Sequence, residues 1–146
     1  MALPCFAAAG GPFGGRAGSV TGPAPRTAQE RYALATLYCV LMSDYCLSAL
    51  GVSEGEIVVE GSYTGNPYFA PLLAALRPSQ PVVSSDDASG TTCGAWMLAH
   101  WGAAGRAGND TATPAAPAVP AAALPLPGWA AYRARWLAAL QGGPEN

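Results

Sequence analysis

The sequence predicts an α/β fold with a long helix followed by a β-α-β-α core. Ile57–Val59 and Pro81–Ser84 are short runs rich in β-branched residues, which is typical of buried strands. An apolar stripe at helical spacing lies between them, and a right-handed crossover through that helix makes the two strands parallel. Two short strands do not form a stable sheet alone. We therefore expect further partners, from another chain or from the rest of the same protein.

Composition divides the 146 residues into four predicted segments. Residues 1–26 are rich in glycine and proline and are expected to form a surface loop without regular structure. Residues 27–104 carry the α/β pattern and form the predicted core. Residues 105–127 are mostly alanine and proline without a hydrophobic period, which predicts a linker. Residues 128–146 resume a helical pattern and are predicted to form a C-terminal helix with a loose tail.

Residues 27–50 are predicted to form one long helix. Thr27 and Glu30 stand three residues apart and fit a capping box, in which the two side chains accept backbone N–H groups reciprocally. Gly51 is the expected residue just past the C-terminus. The apolar surface is wide, so we expect burial on most sides of the helix. Its main apolar stripe consists of Leu34, Leu37, Tyr38, Leu41 and Tyr45.

The two loops after the strands are the expected ligand sites, because ligands of parallel sheets bind beyond the carboxyl ends of the strands. They span Gly61–Asn66 and Ser84–Gly90. Asn66-Pro67 is predicted to begin the crossover helix, with the asparagine as N-cap and the proline at the first helical position. Arg77-Pro78 is predicted to end it. A third helix is expected over residues 91–101.

Charge and cysteine content exclude several classes of function. The chain contains seven basic residues, all arginine, against nine acidic ones, for a net charge of −2. This balance argues against nucleic-acid binding through a basic face and against a polybasic membrane anchor. Four dispersed cysteines and one histidine give neither a compact zinc motif nor a disulfide scaffold. We therefore predict no metal site and a cytoplasmic location.

Tyr32–Leu50 is the one stretch long and apolar enough to be considered as a membrane span. It contains Asp44, begins after a capping box and precedes a strand pattern, so we interpret it as a helix of a soluble core. We expect Asp44 to lie at a polar edge or to pair with an arginine. The N-terminus lacks the basic region of a signal peptide.

Residues 57–67 read Ile-Val-Val-Glu-Gly-Ser-Tyr-Thr-Gly-Asn-Pro. This segment resembles the adenosine-binding segment near the C-terminus of FGGY carbohydrate kinases, in which a strand enters a Gly-Gly turn followed by an asparagine. Pro81–Val83, Gly94-Ala95 and the helix Arg31–Leu50 are similar to neighbouring elements of that family. The Glu-Gly-x-x-x-x-Asn-Pro pattern is most similar to the bacterial branch related to L-fuculose and xylulose kinases. The resemblance covers residues 27–104.

The resemblance implies the C-terminal, ATP-side part of an actin-like (ribonuclease H-like) ATPase fold. It implies phosphoryl transfer from ATP, with Mg²⁺, to a sugar hydroxyl. It places Gly61, Ser62 and Asn66 at the nucleotide. Ser62 occupies the position where the family usually has its second glycine. Asn66 has two open interpretations, as a helix cap or as a ligand of the nucleotide, and both roles can coexist.

The family's catalytic base and its N-terminal phosphate motif lie upstream of the adenosine segment, and nothing in residues 1–26 matches either of them. No catalytic residue is therefore assigned, and the chain alone is expected to be inactive without the N-terminal kinase domain. The alternative is a non-catalytic fragment that binds a nucleotide or a protein. The Asp86-Asp87 pair and His100 are interpreted as structural rather than as an acid–base pair or a ligand.

Overall fold

The computed structural model describes residues 1–7, 11–85, 95, 98–99 and 118–141. Its elements are two strands near the N-terminus, a long helix, a parallel strand–helix–strand unit, an edge strand and a C-terminal helix. In chain order they are β1 (Ala2–Leu3), β2 (Ser19–Val20), α1 (Ala28–Ala49), β3 (Ile57–Val59), a 3-10 turn (Gly61–Tyr63), α2 (Phe69–Leu76), β4 (Val82–Ser84), β5 (Val119–Pro120) and α3 (Trp129–Gln141).

Within the described residues, the main sheet has three strands in the order β3-β4-β5. The first two are parallel, with Ile57 opposite Val82 and Val59 opposite Ser84, which confirms the predicted crossover through α2. The third strand is antiparallel to β4, and its Val119 pairs with Ser84. This mixed α/β arrangement confirms the predicted fold class in outline.

Both ends of α1 follow their sequence signals. Thr27 Oγ1 accepts the backbone N–H of Glu30 at 3.1 Å, and the Glu30 carboxylate accepts the N–H of Thr27 at 3.1 Å. The capping box is therefore present as predicted. At the other end Gly51 adopts φ +73°, and its N–H donates to the carbonyl of Ser48. A left-handed residue at this position closes the last turn, which is the role expected for glycine.

The prediction that α1 is buried on most sides is wrong. Its buried residues are Thr36, Val40, Leu41 and Asp44, which lie on one face of the helix. The neighbours that contact α1 most, α2 and β1, cover this face and leave residues 28–33, including Tyr32, and residues 48–50 exposed. Two of the four buried residues are polar, so the true inner face differs from the predicted apolar stripe.

Residues 1–26 are not the featureless loop that their composition predicts. The strands β1 and β2 pair antiparallel, with Ala2 opposite Val20. Ala2 and Phe13 are buried, and Trp136 of α3 donates from Nε1 to the carbonyl of Ala2 at 2.8 Å. The N-terminal segment thus belongs to the same core as the C-terminal helix, which the four-segment division does not anticipate.

The C-terminal part of the predicted linker also joins the core. The N–H of Ala121 donates to the carbonyl of Val82, and the N–H of Leu124 donates to the carbonyl of Pro71. Proline at position 120 is tolerated because β5 is an edge strand of the described sheet. The interpretation of residues 118–127 as linker is therefore incorrect. Residues 101–117 lie outside the described part of the chain.

The crossover helix begins later than predicted. Its first helical residue is Phe69 and its N-cap is Tyr68, so Asn66 is not the N-cap and Pro67 is not the first helical residue. Asn66 instead forms a turn of its own ahead of the helix. The C-terminus follows the prediction, with Arg77 as the C-cap before Pro78.

The C-terminal helix α3 is confirmed, and the side chains that recur at helical spacing along it, Trp129, Tyr132, Trp136 and Leu140, face the core. Trp129, Trp136 and Leu140 are buried, and they pack in one cluster with residues from α1, α2, β3 and β4. Of the predicted third helix, residues 95, 98 and 99 are described and are helical, while its other residues, the Asp86-Asp87 pair and His100 lie outside the described residues.

Candidate functional site

The candidate site is the turn after β3. Gly61–Tyr63 forms one turn of 3-10 helix directly beyond the carboxyl end of that strand. The N–H of Ser85 donates to the carbonyl of Val59 at 2.9 Å, so the end of β4 lies alongside. The structure therefore places the predicted site residues Gly61, Ser62 and Asn66 within one short loop at the ligand-binding edge expected for parallel strands.

Gly61 adopts φ +71°, a left-handed conformation that other residues rarely adopt. A Cβ built on it meets no atom within 4 Å, so the space in front of its α-carbon is open. The turn is closed by a side-chain bond, since Thr64 Oγ1 donates to the carbonyl of Gly61 at 2.8 Å. Ser62 is exposed at the tip of this turn. The backbone there is accessible to a flat ligand.

Asn66 uses both ends of its side chain. Its Oδ1 accepts the backbone N–H of Tyr68 at 3.0 Å, and its Nδ2 donates to Oγ1 of Thr36 on α1 at 2.8 Å. The second bond spans 30 residues of sequence and ties the turn to the helix. The Oδ1 bond closes a local turn ahead of α2 and does not make Asn66 the predicted helix cap, and the bond to Thr36 is a contact that local sequence signals do not reveal.

Tyr63 forms the outer wall of the turn. Its ring stacks on that of Phe69 with centroids 4.3 Å apart and an angle of 24° between the planes. It also hydrogen-bonds the Cys39 thiol. Burial raises the pKa of Cys39, and the bond from Tyr63 partly offsets this rise. Burial is also the main cause of the raised pKa of Tyr63. Neither group is charged near neutral pH, so this wall of the site is uncharged.

An apolar groove of about 630 Å³ lies beside the Asn66–Thr36 bond. It runs between the N-terminal half of α1, the start of α2 and the segment after β5. Its polar groups are few, and Thr36 and Tyr68 border both the groove and the turn. The main side chains lining it are those of Tyr32, Thr36, Leu37, Tyr68, Leu72 and Leu124.

A buried ion cluster stabilises the opposite end of α2. Arg77 Nε donates to Asp44 Oδ1 at 3.0 Å, and Arg133 Nε donates to Asp44 Oδ2 at 2.6 Å. Arg77 also donates to Ser48 Oγ and to Gln80 Oε1. The expectation that Asp44 pairs with an arginine is confirmed. The Asp44 partners were not predictable individually, because they lie 33 and 89 residues away in sequence.

The described residues contain no group of three or more acidic, histidine or cysteine side chains that could hold a metal ion. The acidic residue at the start of the turn, Glu60, is exposed.

Comparison with known proteins shows the family to which this chain belongs. A sequence model of the family described as "Carbohydrate kinase FGGY, C-terminal domain" matches residues 1–107. The chain belongs to this family. The FGGY match starts at the first residue, which agrees with the packing of the N-terminal segment into the core.

One solved structure, a carbohydrate kinase from Novosphingobium aromaticivorans, is similar to this FGGY domain with a TM-score of 0.70 and 28% sequence identity. The match covers 95% of this chain and 28% of the kinase chain. The present chain therefore spans just over a quarter of that protein. Comparison with curated proteins gives no significant match.

Within the described residues of this FGGY chain, α1 is the one helix long and apolar enough to cross a membrane by length and composition. This is weak support for a membrane span, because helices of soluble cores pass the same test. Asp44 lies in its C-terminal half and makes two ion pairs with arginines, Arg77 at the end of α2 and Arg133 of α3. These contacts fit a helix packed within a protein core.

Proposed function

We propose that this chain is the C-terminal, nucleotide-side portion of an ATP-dependent carbohydrate kinase. Such a kinase transfers the terminal phosphoryl group of ATP to a hydroxyl group of a sugar. The observation that carries the proposal is the FGGY family match over residues 1–107, which includes the turn at the carboxyl end of β3. The overall architecture we propose is the partial actin-like (ribonuclease H-like) ATPase domain implied by that family.

In this proposal the adenosine part of ATP lies against Gly61, Ser62 and Asn66. The open space at the Gly61 α-carbon admits a flat ring close to the backbone. Ser62 is exposed and offers a hydroxyl toward the ligand. Asn66 has one amide hydrogen and one oxygen lone pair left after its two protein bonds.

Sugar binding and the catalytic base are assigned to residues outside these 146. A general base must reach the attacking hydroxyl, and none of residues 61–66 is an acid or a histidine. We propose that the N-terminal kinase domain supplies the base and the phosphate motif, that Mg²⁺ arrives bound to the ATP phosphates, and that this chain alone is inactive. We further propose a cytoplasmic location and a place in the branch related to L-fuculose and xylulose kinases.

A binding titration tests the nucleotide site. The 146-residue chain is titrated with ATP and Mg²⁺ by isothermal titration calorimetry, and saturable one-site binding is expected. Ser62→Trp is expected to abolish binding because the indole fills the space beside Gly61. Ser79→Trp is the matched control, since Ser79 is also exposed but precedes β4 at the opposite edge of the sheet. No binding by the wild type, or equal binding by S62W, would contradict the proposal.

A second candidate function is a non-catalytic fragment that binds a nucleotide or a protein. The observation that favours it is length, because the chain spans 28% of the kinase of known structure. The two functions are separated by adding the N-terminal domain of a related kinase as a separate chain. Sugar-dependent ADP formation would support the kinase portion. Nucleotide binding without any turnover in the mixture would support the fragment.

A further inference from the structure

We propose that Thr36 is a positioning residue for the nucleotide base, which holds the Asn66 amide in the single orientation that distinguishes adenine from guanine. This inference rests on the proposed nucleotide site at residues 61–66. It concerns a residue on α1 that lies 30 positions before Asn66 in the sequence.

The hydrogen bonds around Asn66 define which end of its amide is the oxygen. The backbone N–H of Tyr68 faces one end at 3.0 Å, and a backbone N–H can only donate. That end must therefore be Oδ1. The other end, Nδ2, faces Thr36 Oγ1 at 2.8 Å and donates to it.

The Thr36 hydroxyl fixes the same orientation from the other side. Thr36 is buried, and its hydroxyl donates to the carbonyl of Tyr32 at 2.9 Å. A hydroxyl has one proton, so the oxygen is left as an acceptor for Asn66. The result is a one-directional chain of donors from Asn66 through Thr36 to Tyr32. Turning the amide over would place two donors together at Tyr68 and two acceptors together at Thr36.

The backbone of Asn66 is held by hydrogen bonds at both its N–H and its carbonyl, so only its side chain can rotate. The N–H of Asn66 donates to the carbonyl of Tyr63, and its carbonyl accepts the N–H of Phe69, both at 3.1 Å. Asn66 is only half-buried, so without Thr36 its amide could turn toward solvent. The Tyr68 N–H and the Thr36 hydroxyl together restrain the face offered to a ligand, and only the hydroxyl can be removed by a side-chain substitution.

An amide held in one orientation can match the donor and acceptor pattern of only one of the two purines. Adenine carries an amino donor at position 6, whereas guanine carries a carbonyl acceptor there. The neighbouring ring nitrogen changes in the opposite sense, from acceptor in adenine to donor in guanine. The spare N–H and lone pair of Asn66 can match one of these patterns when the amide is held, but either pattern when it turns over. We assign the held orientation to adenine, because the ligand proposed for this turn is ATP.

The test compares ATP and GTP binding by the wild type, Thr36→Val and Thr36→Ser. Valine has nearly the shape of threonine but lacks the hydroxyl, while serine keeps it. We expect T36V to bind ATP about tenfold more weakly, as for loss of one hydrogen bond, and to lose most of its preference over GTP. T36S is expected to keep the preference. Ser48→Ala is the control, since it removes an α1 hydroxyl that accepts from Arg77 far from the turn.

The outcomes separate this inference from the proposed function. Unchanged selectivity in T36V, or equal loss in T36S and T36V, would overturn the role of the hydroxyl. If the wild type binds neither nucleotide, the proposed site fails and the adenine assignment fails with it. The side-chain amide signals of Asn66 in NMR spectra then decide the positioning separately. They are expected to shift in T36V and to remain near their wild-type positions in T36S, and unchanged signals in T36V would overturn it.

Discussion

Arg77 Nε donates to Asp44 Oδ1 at 3.0 Å in an ion pair whose side chains are 8% and 3% exposed. Its other nitrogens donate to the carbonyl groups of Val52 and Asp44 and to two side chains, so the guanidinium is enclosed by acceptors. One arginine thus joins the C-terminus of α2 to α1 and to the loop before β3. A buried charge of this kind is stable only while its partners remain.

Removing the Asp44 carboxylate is expected to destabilise the protein strongly. Asp44→Ala leaves the buried Arg77 without its counter-ion, which typically costs about 3–5 kcal/mol. Arg133→Ala is expected to cost about 1 kcal/mol or less, because that side chain is 35% exposed and screened by water. Urea unfolding measures both changes. Arg135→Ala, an exposed position on the same helix, is the control, and equal losses in D44A and R133A would contradict this ranking.

Gly61→Ala is expected to cost about 1–2 kcal/mol in free energy of unfolding. The cost arises from φ +71°, because a Cβ there meets no neighbour within 4 Å. Gly65→Ala is the matched control in the same turn, since its φ is not in the left-handed range and its Cβ would make an ordinary 3.5 Å contact with the Ser62 carbonyl. Thermal unfolding of both variants tests this. A larger loss in G65A would show that packing rather than backbone conformation determines the turn.

Trp136→Phe is expected to destabilise the protein by about 1–3 kcal/mol, because the buried carbonyl of Ala2 loses its donor at 2.8 Å. Trp129→Phe should cost less, since its indole bond to the Leu72 carbonyl is longer, at 3.3 Å. Urea unfolding gives the two values. Hydrogen exchange should also quicken at β1 and β2 in W136F but not in W129F. Protection of these strands at the wild-type level in W136F would contradict the proposed tie between α3 and the N-terminus.

The Glu30 capping interaction predicts a pH-dependent contribution to stability. The N–H groups of Arg26 and Thr27 lower the pKa of Glu30 below its ordinary value of 4.5. A lowered folded-state pKa means that the contribution is complete above the unfolded pKa and disappears as pH falls through the folded one. Thermal melts of wild type and Glu30→Gln should therefore differ at pH 7 and converge at an acidic pH below the lowered folded-state pKa of Glu30. A constant difference at both pH values would contradict this mechanism.

Local signals were sufficient for the elements that depend on neighbours in sequence. The capping box at Thr27, the glycine after α1, the strands at Ile57 and Val82 and the stripe of α3 all arise from short-range patterns. The turn Gly61–Tyr63 also follows β3 directly, where the sequence predicts a loop. In these cases the deciding interaction spans only a few residues, or is fixed by the handedness of the crossover.

The missed features depend on distant partners. Thr36 and Asp44 are buried in α1 because Asn66 and Arg77 pair with them from 30 and 33 residues away. The spacing of apolar residues along α1 does not show that a polar residue lies on its buried face. The strands β1, β2 and β5 have two residues each and lie among glycine and proline, so they have no measurable alternation.

The bond between Trp136 and Ala2 joins groups that are 134 positions apart. During synthesis, β1 leaves the ribosome long before α3 exists, so the Ala2 carbonyl lacks its indole donor in the interval, whereas Phe13 already has Tyr45 of α1 to pack against. Closing so long a loop is slow relative to forming α1 or the Ile57–Ser84 unit. The N-terminal segment should therefore become ordered last, and a nascent chain stalled before residue 129 should hold a protease-sensitive N-terminus beside an already folded helix.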